Sequence, residues 1–222
     1  MFKTTTTALL VPAMLFLAGC ASPSEETAQA DTNMAHVHMG HVLTSWQDTP
    51  DQQGLLPTAV AEAEIATQHA GFAAERPDDL AWMKLHIGHV MHAIDPSTMG
   101  EGPGLGYGVR QAAAGTAKHI QFAAESEGAS DNVKLHATHV ATSANNVVAW
   151  SDEILSLARQ VESAQTAAEA APLVERIKLL TQAILNGVDA NGDGKVSWEQ
   201  GEGGLAQAQQ HMGFMKEGEG LV

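Results

Sequence analysis

The sequence predicts an all-α protein, a four-helix-bundle-like pair of duplicated helical hairpins followed by a C-terminal helix-loop-helix. Three observations lead there. Beyond about residue 33 the chain is rich in Ala, Leu, Glu and Gln and has no sustained alternation of β-branched residues, so helical propensity dominates. Pro, Gly, Asp and Ser gather in DTPDQQG, RPDD, DPSTMGEGPG and SEGAS, which cut the chain into helix-length pieces. Residues 54–90 also match residues 104–140 at a constant shift of 50. In that register His69, Phe72, Ala73, Ala74, Glu75, Lys84, Leu85, His86, His89 and Val90 recur as His119, Phe122, Ala123, Ala124, Glu125, Lys134, Leu135, His136, His139 and Val140. Two hairpins are too few for a solenoid, and they bury their apolar faces most simply against each other.

Helices are expected over residues 34–47, 57–75, 80–94, 108–125, 131–161, 172–185 and 197–216. The first carries a partial third copy of the H-x-x-H-V pattern, His38 to Val42. The second and third form one hairpin about RPDD, and the fourth and fifth repeat it about SEGAS. Pro57 and Pro172 stand where a first helical turn tolerates proline. The division expected is a His-rich hairpin domain over 34–163 and a separate helical segment over 164–222.

Charge and cysteine content exclude several functions. With 26 acidic against 11 basic side chains, a net charge of −15, the chain lacks the positive surface that holds phosphate backbones, so no nucleic-acid partner is expected. One Cys excludes a disulfide framework, a Cys zinc finger, a four-thiolate iron–sulfur cluster and C-x-x-C-H haem attachment. What remains conspicuous is 11 His, equal in number to all Lys and Arg, so imidazole is the abundant ligand. No G-x-S-x-G, H-E-x-x-H or phosphate-binding glycine loop is present, which points to metal binding and handling rather than an enzyme.

The histidines have a geometry. His69 and His86 are equidistant from the RPDD turn, so an antiparallel pair brings them to one level, roughly 10 to 12 Å below it at 1.5 Å per residue. His119 and His136 repeat this about SEGAS, and His89 and His139 lie one helical turn beyond their partners. Face-to-face hairpins could bring His69, His86, His89, His119, His136 and His139 together. Neutral imidazole suits Zn and Cu, and three of them leave a fourth position open. Few carboxylates fall at that level, unlike a di-iron bundle with its Glu-x-x-His pairs. Met34, His36, His38, Met39 and His41 mix thioether and imidazole, which favours copper, as a separate capture site or a cap on the bundle. His92 has Thr142 as its repeat counterpart and is expected to be peripheral; His211 lies outside the repeat and is expected to be incidental. Two other readings stand beside metal binding: a b-type haem electron carrier with bis-His ligation, and a structural envelope module.

At the N-terminus, Lys3, the apolar run 8–18 and Leu17-Ala18-Gly19-Cys20 occur in order. This resembles a bacterial lipoprotein signal with its lipobox. The resemblance implies a signal peptide over 1–19, lipidation of Cys20, and a membrane partner reached through the acyl chains. Ala21, in place of Asp, implies the outer membrane, facing the periplasm. Residues 20–33 are small, polar and acidic, as a flexible tether would be. No protein partner is indicated.

Near the C-terminus, Asp189-Ala-Asn191-Gly-Asp193-Gly194-Lys195-Val-Ser197-Trp-Glu-Gln200 resembles an EF-hand calcium loop. The resemblance implies Ca²⁺ ligation by Asp189, Asn191 and Asp193, by the carbonyl of Lys195, and by Gln200 at the last position, with Ser197 at the ninth. The family has a bidentate Glu where Gln200 stands. An amide offers one oxygen and no charge, so affinity falls toward about 10⁻⁴ to 10⁻³ M unless Glu199 or Glu202 swings in. A single loop gives no paired calcium sensor.

Overall fold

The computed structural model describes residues 1–3 and 33–221. The expected signal peptide beyond residue 3, Cys20 and the expected tether as far as residue 32 lie outside the described residues. Among those described there are seven α-helices and no strand: α1 (Met34–Leu43), α2 (Leu55–Ala74), α3 (Leu80–Ile94), α4 (Val109–Glu125), α5 (Asp131–Ser163), α6 (Ala167–Asn186) and α7 (Leu205–Gly218). The all-α expectation holds, and α2/α3 and α4/α5 are the two hairpins, packed α2 on α4 and α3 on α5.

Local chemistry sets the helix starts. Asn33 caps α1 by accepting from the N–H groups of Ala35 and His36, Asp79 caps α3 through Trp82 N–H, and Ser130 caps α5 through Val133 N–H. Along α2 a stripe of Ala59, Ala63, Ala66, Ala70 and Ala73 is fully buried at helical spacing, so neighbouring backbones can approach closely. The long α5 has 33 residues and spans about 50 Å at 1.5 Å per residue. It is the spine: α4, α7, α6 and α3 all pack along it.

Residues 33–221 lie in one compact unit. Val174, Ile177, Ile184, Leu205 and Met212 share a single core with the hairpins, and α5 ends at Ser163, where the expected boundary with the second segment falls. Two helix limits also differ from expectation. α6 begins at Ala167, not Pro172, because Thr166 accepts from Glu169 N–H and the Glu169 carboxylate accepts from Gln165 N–H. Pro172 is carried inside the helix. α7 begins at Leu205, not at Ser197. Gly201, Gly203 and Gly204 stand in between, and Gly201 has φ 84°, a left-handed conformation that ends any continuous helix there.

A buried carboxylate fastens the long connection that leads into α4. Glu62 of α2 is fully buried and accepts from Leu105 N–H at 3.1 Å and from Tyr107 and Gly108 N–H at 2.9 Å each. These donors converge at the start of α4, where backbone N–H groups have no helical partner. Glu62→Ala orphans all three and is expected to cost about 3 kcal/mol or more of stability, read as a lower midpoint in urea unfolding.

Candidate metal centres

Three helix pairs each carry one H-x-x-H pair facing one lone histidine. In the first centre α1 supplies His38 and His41 and α4 supplies His119. In the second α3 supplies His86 and His89 and α2 supplies His69. In the third α5 supplies His136 and His139 and α7 supplies His211. A spacing of three residues sets both imidazoles of each pair on one helix face, and the lone histidine enters from the helix packed against that face.

The three centres are alike to within a few tenths of an ångström. His119 Nδ1 lies 3.1 Å from His38 Nδ1 and 3.3 Å from His41 Nδ1. His69 Nδ1 lies 2.9 Å from His86 Nδ1 and 3.2 Å from His89 Nδ1. His211 Nδ1 lies 3.0 Å from His136 Nδ1 and 3.2 Å from His139 Nδ1. A lone ring Nδ1 carries one proton or one lone pair, so it completes one linear hydrogen bond and not two. Each centre is therefore over-supplied with nitrogen for a hydrogen-bond network. A metal ion at about 2.0 to 2.1 Å from each nitrogen would set tetrahedral donors about 3.3 Å apart, close to the spacing observed. These histidine groups have the geometry to hold a metal ion.

Burial keeps eight of the nine donors neutral. Burial, and then the neighbouring histidines, push His69, His119 and His211 down to about 4. Burial also lowers His38, His86, His89, His136 and His139 below the usual histidine range. At neutral pH these eight rings are thus unprotonated and each keeps a free lone pair. His86 Nε2 is buried with no hydrogen-bond partner, beside Trp82 at 4.2 Å between ring centroids. With Nδ1 as the ligating atom the proton sits on Nε2, which here has the Trp82 ring beside it and no hydrogen-bond acceptor.

Aromatic rings border every centre. Phe72, Phe122 and Phe214 each lie three residues after the lone histidine and 5.5 to 5.9 Å from its ring. One Trp joins each: Trp46 at 4.5 Å from His119, Trp82 beside His86, and Trp198 stacked on His139 at 4.0 Å.

All six histidines expected from the repeat are in these centres, but they do not converge on one site. Only His69 with His86 and His89 meets within its own hairpin, as expected. His119 instead meets α1, and His136 and His139 meet α7. The reason lies in the repeat's departures. Trp82, which packs on His86 in the first hairpin, is replaced in the second by Asn132, whose side-chain amide donates to Met215 C=O of α7 at 2.9 Å. The second hairpin therefore opens its histidine faces to the terminal helices. His211, expected to be incidental, is a central member, and the H-x-x-F pattern at His69, His119 and His211 is the signal that would have found it. His38 and His41 belong to a triad and form no separate capture site; Met39 points into the apolar core, away from a mixed thioether site. His36 bonds Glu219 at 2.9 Å, which ties α1 to the C-terminal end. His92 lies outside the triads and contacts Met99 C=O at 3.1 Å.

The acidic loop is folded on its own side chains. The Asp189 carboxylate accepts from Gly192, Asp193 and Gly194 N–H, Asn191 Oδ1 from Asp193 N–H, and Asp193 from Lys195 N–H. Gln200, assigned to the last ligand position by resemblance, is exposed. The carboxylate that reaches the loop is Glu202, which is buried and accepts from Asn191 N–H and from the N–H and hydroxyl of Ser197. Comparison with protein-family models, curated proteins and solved structures gives no significant match to this chain.

Proposed function

We propose that the chain binds three late first-row transition ions, one in each histidine triad, and serves to hold and hand over metal rather than to turn over a substrate. The observation that carries this reading is the threefold recurrence, on three different helix pairs, of one histidine Nδ1 about 3 Å from the Nδ1 atoms of two others. A packing role would not need the same nitrogen aimed at the same point each time. All-imidazole donors suit copper and zinc. Spacing favours a bare ion over haem, whose axial nitrogens stand on opposite faces of the ring about 4 Å apart, twice an ordinary metal–nitrogen distance. Anaerobic loading followed by desalting and elemental analysis is expected to give three ions per chain, one per triad. A content below about 0.2 ions per triad would overturn the reading, since a three-imidazole site retains its ion through desalting.

The lipobox at Cys20 places this function, in our reading, on an envelope lipoprotein anchored in the outer membrane. Calcium is proposed for the loop at Asp189, favoured by the inward carboxylate of Glu202, which supplies the charge that Gln200 lacks. Millimolar calcium is then expected to raise the melting temperature of the full chain, and Asp189→Ala to abolish the rise. A rise that survives the substitution removes the loop as its site.

A further inference from the structure

Each triad is bordered by a tryptophan that the internal repeat does not provide. Trp82 stands at the start of α3, Trp46 follows α1, and Trp198 lies in the connection before α7. None occupies a position equivalent to another, yet three of the four tryptophans of the chain end with ring centroids 4.0 to 4.5 Å from a triad imidazole. Of the three phenylalanines close by, Phe72 and Phe122 are repeat equivalents, and Phe214 follows its histidine at the same spacing. Aromatic rings have therefore been recruited to the same chemical setting from three unrelated segments, while among the described residues no carboxylate has joined any of the three ligand groups.

That combination bears on the charge of the ion. Three neutral nitrogens leave a divalent ion with its full double charge, which favours an anionic or water ligand in the fourth position. An aromatic border supplies neither. It offers instead neutral, polarisable indole rings 4.0 to 4.5 Å from triad imidazoles, an apolar setting that costs less for the ion of lower charge and weaker hydration. Divalent copper moreover prefers a tetragonal arrangement of four or more donors, whereas three donors on two helices leave a closed-shell monovalent ion content. We propose that the three triads are sites for cuprous ion, with Trp46, Trp82 and Trp198 selecting it over zinc and divalent copper. This rests on the triads being metal sites.

The test is competition under anaerobic conditions. Cuprous ion, delivered from its acetonitrile complex, is titrated into the full chain against a chromophoric cuprous chelator, with and without excess Zn(II). Three ions per chain should bind with quenching of tryptophan fluorescence, and Zn(II) should not displace them. Trp198→Leu should lower the cuprous-over-zinc preference of one site in three by about tenfold or more, while its circular dichroism and the other two sites stay as they were. Trp46→Leu gives an independent reading at another triad if the first variant fails to fold. Displacement of all cuprous ion by Zn(II), or an unchanged preference in both folded variants, overturns the cuprous assignment and leaves metal binding standing. If neither ion binds, the proposed function falls with it.

Discussion

His211→Ala is expected to reduce the metal content of the loaded chain from three ions to two. The loss falls on the third triad, where His136 and His139 remain as a two-nitrogen remnant. Removing a ligand outright should weaken that site by at least about 100-fold, since even changes to outer-shell partners cost ten- to a hundredfold. The metal-free fold should change little, by within about 1 kcal/mol, because His211 is half-buried and its contacts are the other triad rings and Phe214. Stoichiometry by native mass spectrometry, together with melting of the metal-free protein, separates the two effects. A variant that still binds three ions removes His211 from the ligand set.

Acid should destabilise the metal-free protein over a definite window. His69, His119 and His211 titrate at about 4 in the folded chain against an ordinary value of 6.5. Between those values the unfolded chain binds more protons, so stability falls as pH drops from 6.5 toward 4. Above pH 7 these three groups are neutral in both states and contribute no slope. Glu219 acts at lower pH in the same direction: hydrogen bonds from His36, Ser130 and Asn132 hold its carboxyl below the usual range, so its contribution is lost on further acidification. Loaded protein should lose stability more steeply, because each departing ion frees three imidazoles to compete for protons. The triple variant His69→Gln, His119→Gln and His211→Gln should show a shallower slope between pH 6.5 and 4 in the metal-free state, the remainder coming from the other buried histidines. A wild-type melting temperature that stays flat across that window contradicts the burial of these rings.

The fold was legible because its signals are local. Asp79 and Ser130 mark helix starts, the RPDD and SEGAS turns mark the hairpins, and α3 runs over the residues expected, Leu80–Ile94. The second triad was legible for the same reason: His69, His86 and His89 sit on neighbouring helices joined by a short turn, so reflection about that turn brings them together. The other two triads join helices far apart in the chain, separated by 78 residues between His41 and His119 and by 72 between His139 and His211. No turn geometry encodes those meetings. They depend on which helices pack on the second hairpin, where Asn132 bonds α7 and the first hairpin has Trp82 against its own His86. At the acidic loop, spacing located Asp189, Asn191 and Asp193, but the glycines at 201, 203 and 204 delay α7 and let Glu202 turn inward in place of Gln200.

The most direct measurement of the central claim is the X-ray absorption spectrum of the fully loaded full chain. Three imidazole nitrogens per ion at about 2.0 Å, with no sulfur neighbour and no second metal within about 4 Å, are predicted for three separate histidine triads. A sulfur or carboxylate-dominated first shell, or a short metal–metal distance, would contradict it.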